Sequence, residues 1–410
     1  MFSKIFHPHL SAFRKGYSCQ STLIALTEEW RAALDSGNYA AAILMDLSKA
    51  FDCVPTKLLV EKLRAYGIQE SAVNLIENYM SGRKQCVRVN GCTSSLLDVK
   101  KGVPQGSILG PIIFNIFIND IFFLTKETSL HNYADDNTLS FVHKDIKKLK
   151  ETLERECLDL VRWFENNRMQ ANPDKFQAIA LGRKCQPENV CFNVGNVEIN
   201  TEETVKLLGV HIDSLLNFDV QIKMVCKRAS RQANALGRIA KHLTIEGRKA
   251  IYHAFIMSNF NFCPLVWHFC SKMNTKKLEK VNYRALRFVF QDFNVSYEEL
   301  LLKMKSCNLE VQRLRLVAIE TFKILNGIGP AYLNDFITEK QNVYTFRYNR
   351  ILEIPRTKTV RYGSNSFKSL AASVSNSLPD HLRTCTSLNS FKNLIRQWNG
   401  QSCRCAICKN

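Results

Sequence analysis

Residues 40–54 read AAAILMDLSKAFDCV. The opening apolar run has the length and composition of a strand buried on both faces, so a strand is expected over Ala40–Leu47. It closes on a carboxylate, Asp46, where a buried and uncompensated charge would cost several kcal/mol. Residues 131–139, HNYADDNTL, hold a second acidic feature. There Asp135 and Asp136 are adjacent on the turn of a hairpin expected over His131–Val142. Neighbouring like charges repel unless a cation lies between them. Mg2+ prefers carboxylate oxygens together with substrate phosphates, and two such ions can activate a hydroxyl and stabilise a leaving oxygen. Taken singly, Asp135-Asp136 reads sooner as a solvated turn, and Asp46 as a helix cap for the Ser48 segment.

The rest of the chain narrows the class. Its 410 residues suit about two or three domains. Lys and Arg number 56 against 37 Asp and Glu, a net charge of +19 that favours an anionic partner such as nucleic acid. Fifteen cysteines without a signal pattern point to reduced thiols inside a cell, with nucleus and cytoplasm both open. The longest apolar run, Pro111–Leu124, is short and interrupted by Asn115, Asn119 and Asp120, so no membrane span is expected.

Periodicity divides the chain into an α+β first half and a helical second half. Helices are expected over Leu58–Tyr66, Ser71–Met80, Ile108–Leu124 and Ile146–Asn166. A hairpin is expected around Asn90-Gly91, and strands over Phe176–Leu181, Val190–Ile199 and Val205–Ile212. Long helical windows follow over Asp219–His242, Thr244–Phe260, Lys276–Phe290 and Leu309–Leu325. Residues 221–293 carry 14 Lys and Arg against 3 Asp and Glu. These shifts set domains at 1–215, 216–329 and 330–410. Cys403, Cys405 and Cys408 form a cysteine-rich tail that lacks an evident fourth zinc ligand and reads as free thiols.

Three blocks occur in order: ILMDLSKAFDCV with Asp46, GVPQGSILGP with Gln105, and YADD with Asp135 and Asp136. With WFENNRMQANPDKFQAI, VKLLGVHID and FCPLVW, they resemble the reverse transcriptase of non-LTR, LINE-like retrotransposons. The resemblance implies a right-hand polymerase palm, an antiparallel sheet packed on helices, followed by a basic helical thumb and a mixed C-terminal region. It implies an RNA-directed DNA polymerase with Asp46, Asp135 and Asp136 as catalytic metal ligands, joined by the Leu47 carbonyl. The metals would be two Mg2+ ions, with Mn2+ as a substitute. The partners would be an RNA template, a DNA primer and deoxynucleoside triphosphates. Phe51 would exclude a 2′-hydroxyl, although it reads also as core. Gln105 and Gly106 would meet nucleotide and template, and Arg14 and Lys15 the nucleotide. Lys175 would protonate pyrophosphate, a role balanced against a plain surface lysine. Leu208 and Gly209 would grip the primer end.

Some features depart from the family. Met1–Phe6 runs directly into His7–Ser11, where relatives carry a longer, arginine-bearing fingers segment, and the amino-terminal endonuclease has no counterpart. Thr56 stands where histidine is common, and Ser375 where tryptophan is. A rival expectation follows, of a retrotransposon-derived fragment that binds nucleic acid without polymerising. Oligomeric state is not legible.

Overall fold

The computed structural model describes residues 5–182, 190–340 and 351–400. The chain forms two compact units, Met1–Ser18 with Asn38–Glu202, and Cys19–Gly37 with Glu203–Asn410. In chain order, α1 is Cys19–Ser36, β1 is Tyr39–Met45, and α2 is Leu109–Ile118. Strands β2 (Ser129–Tyr133) and β3 (Asp136–His143) form a hairpin, followed by α3 (Ile146–Asn166) and β4 (Gln177–Leu181).

The first unit is built on a four-stranded antiparallel sheet in the order β4-β1-β3-β2. Strand β1 is central, and Ala40 to Met45 are all buried, as a continuous apolar run requires. Helix α3 lays Leu149, Leu153, Cys157, Leu160 and Phe164 into the core, the spacing of one helical face. Asp145 caps it by accepting from the Lys147 amide at 2.9 Å, relieving one orphan N–H of the first turn. Residues 9–11 run beside the edge strand β2. The Asn132 amide donates to the His9 carbonyl at 3.1 Å, and the Ser11 amide to the Asn132 carbonyl at 3.0 Å. An antiparallel sheet with helices packed against it is the architecture of a polymerase palm.

The structure refines several expected strands. Val190–Ile199 is a hairpin, Cys191–Val194 with Val197–Asn200, because Gly195 at φ 63 turns the chain. Val205–Ile212 is likewise split, into Thr204–Leu207 and Val210–Asp213, at Leu208 and Gly209. The helix expected to Leu124 ends at Ile118 and continues as a 3-10 turn over Asn119–Phe123. The Asn90-Gly91 turn forms, both residues having positive φ, but its ladder is broken into two short pairs.

The second unit is mainly helical, with α4 (Asp219–Ile239), α5 (Lys272–Phe290), α6 (Leu309–Leu325) and α7 (Phe367–Ser377). Helix α4 buries Ile222, Val225, Ala229, Ala233 and Leu236; α5 buries Leu278, Ala285, Leu286 and Val289. Gly237 lets the two helices approach, since a Cβ there would lie 2.9 Å from the Phe288 ring. The Glu279 carboxylate on α5 accepts from the Tyr297 hydroxyl at 2.6 Å and the Glu310 amide at 3.1 Å, satisfying the start of α6. Among the described residues no helix is long and apolar enough to cross a membrane.

Helix α1 lies early in sequence yet belongs to this second unit. Three residues along it hold the chain from Lys358 to Lys368. Glu28 accepts from the amides of Phe367 at 2.7 Å and Lys368 at 2.9 Å, at the start of α7. Arg31 donates to the Asn365 carbonyl at 2.8 Å and the Arg361 carbonyl at 3.2 Å. Asp35 accepts from the Thr359 amide at 2.7 Å and the Lys358 amide at 3.0 Å. Gly363 is needed here, because a Cβ would lie 2.6 Å from an Asp35 oxygen. Burial pushes the Glu28 carboxyl up and the Arg31 guanidinium down, to about 10. Removing one charge from this enclosed set strands the other. Arg31→Met should therefore destabilise the fold by about 3 kcal/mol and admit protease between residues 357 and 368, read by urea denaturation and limited proteolysis. Unchanged stability would show that the clamp contributes little.

Candidate active site

Asp46 follows the last residue of β1. Met45 pairs with Asn137 of β3, so Asp46 and Asp136 come next on the two antiparallel strands. On the other side of β3, Asp136 pairs with Tyr133, leaving Ala134 and Asp135 as a two-residue turn. Register therefore gathers the three carboxylates at one end of the central strand pair. Asp46 and Asp136 are exposed and Asp135 is half-buried. The burial cost expected at Asp46 does not arise, because Asp46 is exposed although Leu47 after it is buried.

The Asp136 carboxyl is raised to about 6, first by partial desolvation and then by the negative charges of Asp135 and Asp46. Both effects act against ionisation. No cation acts on it among the described residues. No three His, Cys, Asp or Glu side chains there are already closed around one point. The donor set nonetheless fits a hard divalent cation, since it consists of carboxylate oxygens whose repulsion a cation would relieve. Leu47, whose carbonyl was expected to assist, pairs with Ala171 in a short ladder.

Phe51 lies half-buried beyond Asp46. Its ring stacks on Phe114 at 4.1 Å and meets the edge of Phe13 at 6.0 Å. It is thus anchored in the core on one face while remaining partly open. Two backbone bonds fix the segment, from the Val103 amide to the Phe51 carbonyl at 2.9 Å and from Gly102 to Val54 at 2.8 Å. Gly102 has φ +89, and a Cβ there would lie 2.7 Å from the Asp52 backbone. Gln105 then donates from Nε2 to Asp52 Oδ1 at 2.9 Å. Gly106, with φ +78 and nothing near its missing Cβ, leaves the backbone beside Gln105 open.

Gln105 and Asp52 line a pocket of about 900 Å³ with Lys49, Arg83, Lys84, Lys100 and Lys101. Those five cations face two carboxylates, Asp52, which accepts from Gln105, and Asp98, which pairs with Lys84 at 3.7 Å. The pocket is therefore electropositive. Sequence reasoning passed over these cations because they are scattered between Lys49 and Lys101; the KK pair before GVPQG was the available signal. Asp52 was missed too, although its place one residue after Phe51 could have drawn notice.

The other expected residues vary in placement. Arg14 is committed internally, donating to the carbonyls of His7 and Leu10 at 2.8 Å each and lying 4.1 Å over the Tyr17 ring. These bonds satisfy carbonyls in the turn 7–10 and fix the guanidinium there. Lys15 is exposed. Lys175 is exposed on the turn Pro173–Lys175, close in sequence to Gln170-Ala171, which pairs with Leu47-Ser48. Leu208 and Gly209 lie in the second unit, at the tip of the hairpin Thr204–Asp213, with φ 45 and 82. A Cβ on Gly209 would lie 3.0 Å from the Phe262 ring. Cys403, Cys405 and Cys408 lie outside the described residues.

Comparison with known proteins follows this geometry. The family described as "Reverse transcriptase (RNA-dependent DNA polymerase)" matches residues 1–212. A "Probable RNA-directed DNA polymerase from transposon BS" of Drosophila melanogaster is 23% identical over 297 residues, covering 70% of this chain and 33% of that protein. The "RNA-directed DNA polymerase from mobile element jockey" of the same species is 28% identical over 267 residues, covering 62% and 29%. The chain thus spans about a third of the length of these relatives. Among solved structures, apo telomerase of Candida tropicalis superposes with a TM-score of 0.41 at 13% identity, covering 80% of this chain and 54% of that one.

The electrostatics make a prediction about stability without metal. From its ordinary value of 3.8, the Asp136 carboxyl moves to about 6 on folding. The folded state therefore binds this proton more tightly than the unfolded state, and stability falls as pH rises between those values and stays low above. Asp136→Asn should stabilise the metal-free protein by about 1 kcal/mol at roughly pH 8, allowing for solvent screening. Below the unfolded value it should change nothing. Denaturant titrations at the two pH values decide; an equal effect at both would refute the electrostatic cause.

Proposed function

The chain belongs to the reverse transcriptase family, its relatives being polymerases of non-LTR retrotransposons, and on that premise we propose that it extends a primer 3′-hydroxyl on an RNA template. The observation that carries this reading is the convergence of Asp46, Asp135 and Asp136 at one end of the β1–β3 pair without a neutralising cation. Members of the family use divalent metal ions. Asp46, Asp135 and Asp136, with the Leu47 carbonyl, would hold two Mg2+ ions. When bound, these would favour ionisation of the primer hydroxyl and offset charge on the transferring and departing phosphates.

The remaining steps fall to the protein. Attack of the 3′-oxygen on the α-phosphorus forms the new ester as pyrophosphate departs, and the protein must chiefly align these groups. Phe51, held by Phe114, presents a rigid ring where a ribose would enter, so an added 2′-hydroxyl would collide with it. Gln105 is oriented by Asp52 and faces the nucleotide, while Gly106 admits the template backbone closely. Lys49, Arg83, Lys84, Lys100 and Lys101 supply positive charge for phosphates. Lys175 donates a proton to the departing pyrophosphate. In the second unit, Leu208-Gly209 contacts the primer end, and the basic faces of α4 and α5 hold duplex backbone without reading sequence.

Primer extension on an RNA template with Mg2+ is the direct test. Asp135→Asn should lower extension by roughly 10³-fold or more, and an undiminished rate would refute the metal assignment. Phe51→Ala should admit ribonucleotides at least about tenfold more readily while deoxynucleotide use persists. If discrimination is unchanged, Phe51 serves packing alone. Nucleic-acid binding that weakens steeply with salt but yields no extension would support the binding-only reading instead.

A further inference from the structure

Two asparagines lie beneath the acidic turn, and the reading above gives them no task. Asn132 in β2 and Asn137 in β3 are register partners, and their exposures are 0% and 1%. Buried positions facing one another across a sheet are ordinarily filled by β-branched or aromatic residues, which pack without polar atoms. Here the amides are directed at the turn. Asn132 Nδ2 donates to the Ala134 carbonyl at 2.8 Å and to Asn137 Oδ1 at 2.9 Å. Asn137 Nδ2 donates to the Asp135 carbonyl at 3.1 Å. The carbonyls of both turn residues are thus gripped by one linked pair of side chains.

The turn needs such a grip. Ala134 sits at φ 59, a conformation an L-residue with a Cβ adopts reluctantly. Asn132 Oδ1 is enclosed and accepts no hydrogen bond among the described residues, so its amide orientation is set by the two acceptors around Nδ2. Leaving that oxygen desolvated costs stability. The Asn132 backbone is itself tied on both sides to residues 9–11, so the grip rests on a fixed edge.

We propose that Asn132 and Asn137 are positioning residues for the metal site: they fix the peptides of Ala134 and Asp135 so that the Asp135 and Asp136 carboxylates are aimed before a cation arrives. The inference rests on the proposed function but reaches residues outside it. Outer partners that orient ligands commonly govern affinity by ten- to a hundredfold.

The test is Mn2+ binding to the full chain, followed by electron paramagnetic resonance and by the rise in melting temperature with added Mn2+. Asn137→Ala, and the nearly isosteric Asn137→Leu if the first does not fold, should weaken Mn2+ binding about tenfold or more. In extension assays the Mg2+ requirement should rise while the rate at saturating Mg2+ falls less. Asn132→Ala should do the same, and the double variant should be no worse than the singles because the pair acts as one unit. Leu139→Ala, a core truncation in the same strand, controls for general destabilisation and should leave Mn2+ affinity unchanged below its melting temperature. Affinity within twofold of the unaltered protein in the Asn137 variants would overturn the proposal, and so would equal weakening in Leu139→Ala. Asp135→Asn separates the two levels. If it abolishes Mn2+ binding while the asparagine variants bind normally, only the positioning role fails; if it too binds normally, the metal reading fails with it.

Discussion

The antiparallel pairing of β1 with β3 is the constraint on which the first unit depends. A strand buried on both faces has no freedom to slip, because a shift of one residue would exchange the faces of every side chain. Met45 opposite Asn137 therefore fixes which residues come next. Those residues are charged, and the core can continue only as far as they allow. The same register that buries Ala40 to Met45 expels Asp46 and Asp136 together into solvent at one end. The site is in that sense a consequence of where the apolar sequence stops.

The second unit is held by a different device. Glu28, Arg31 and Asp35 lie on one face of α1 and bind backbone groups far along the chain. Hydrophobic periodicity along α1 said nothing of this, because the partners are main-chain amides and carbonyls with no side-chain signature. The chain leaves the palm-like unit at Ser18 and returns at Asn38, so this helix is covalently continuous with β1 at its far end. The boundary between 215 and 216 follows the charge shift, while the compact units place Cys19–Gly37 with Glu203–Asn410, a juxtaposition that composition does not record.

Legibility in the sequence divided along physical lines. Helix Ile146–Asn166 was readable to the residue, because a capping aspartate and a regular apolar stripe agree. The buried strand was readable because nothing else has that run of apolar residues at that length. The split hairpins at Gly195 and Gly209 were blurred by apolar residues on both sides of each turn, which mimic one long strand. At the site, the acidic triad was legible as types in order. The pocket cations, the Asp52–Gln105 bond and the need for Gly102 were not, since each depends on segments meeting across a turn. The bonds of Arg14 to the carbonyls of His7 and Leu10 were equally illegible, because main-chain acceptors leave no mark in the sequence.

Three departures from local rules meet at the acidic turn. Among the described residues, an L-residue at positive φ, an enclosed amide oxygen without a donor, and adjacent carboxylates with no counter-charge all fall within residues 132–137. Each disfavours the folded state, and a two-residue turn of Asn-Gly type with apolar neighbours would avoid all three. Surrounding structure has to over-determine a segment for it to persist under such cost. That support comes from the buried strand on one side and the chain 9–11 on the other, bonded to both the N–H and the carbonyl of Asn132. A hairpin serving only to connect two strands would have no use for it. A turn that is braced by its neighbours and carries adjacent acidic groups suits a cation, because the ligands must be held in position before the ion that reconciles them is bound.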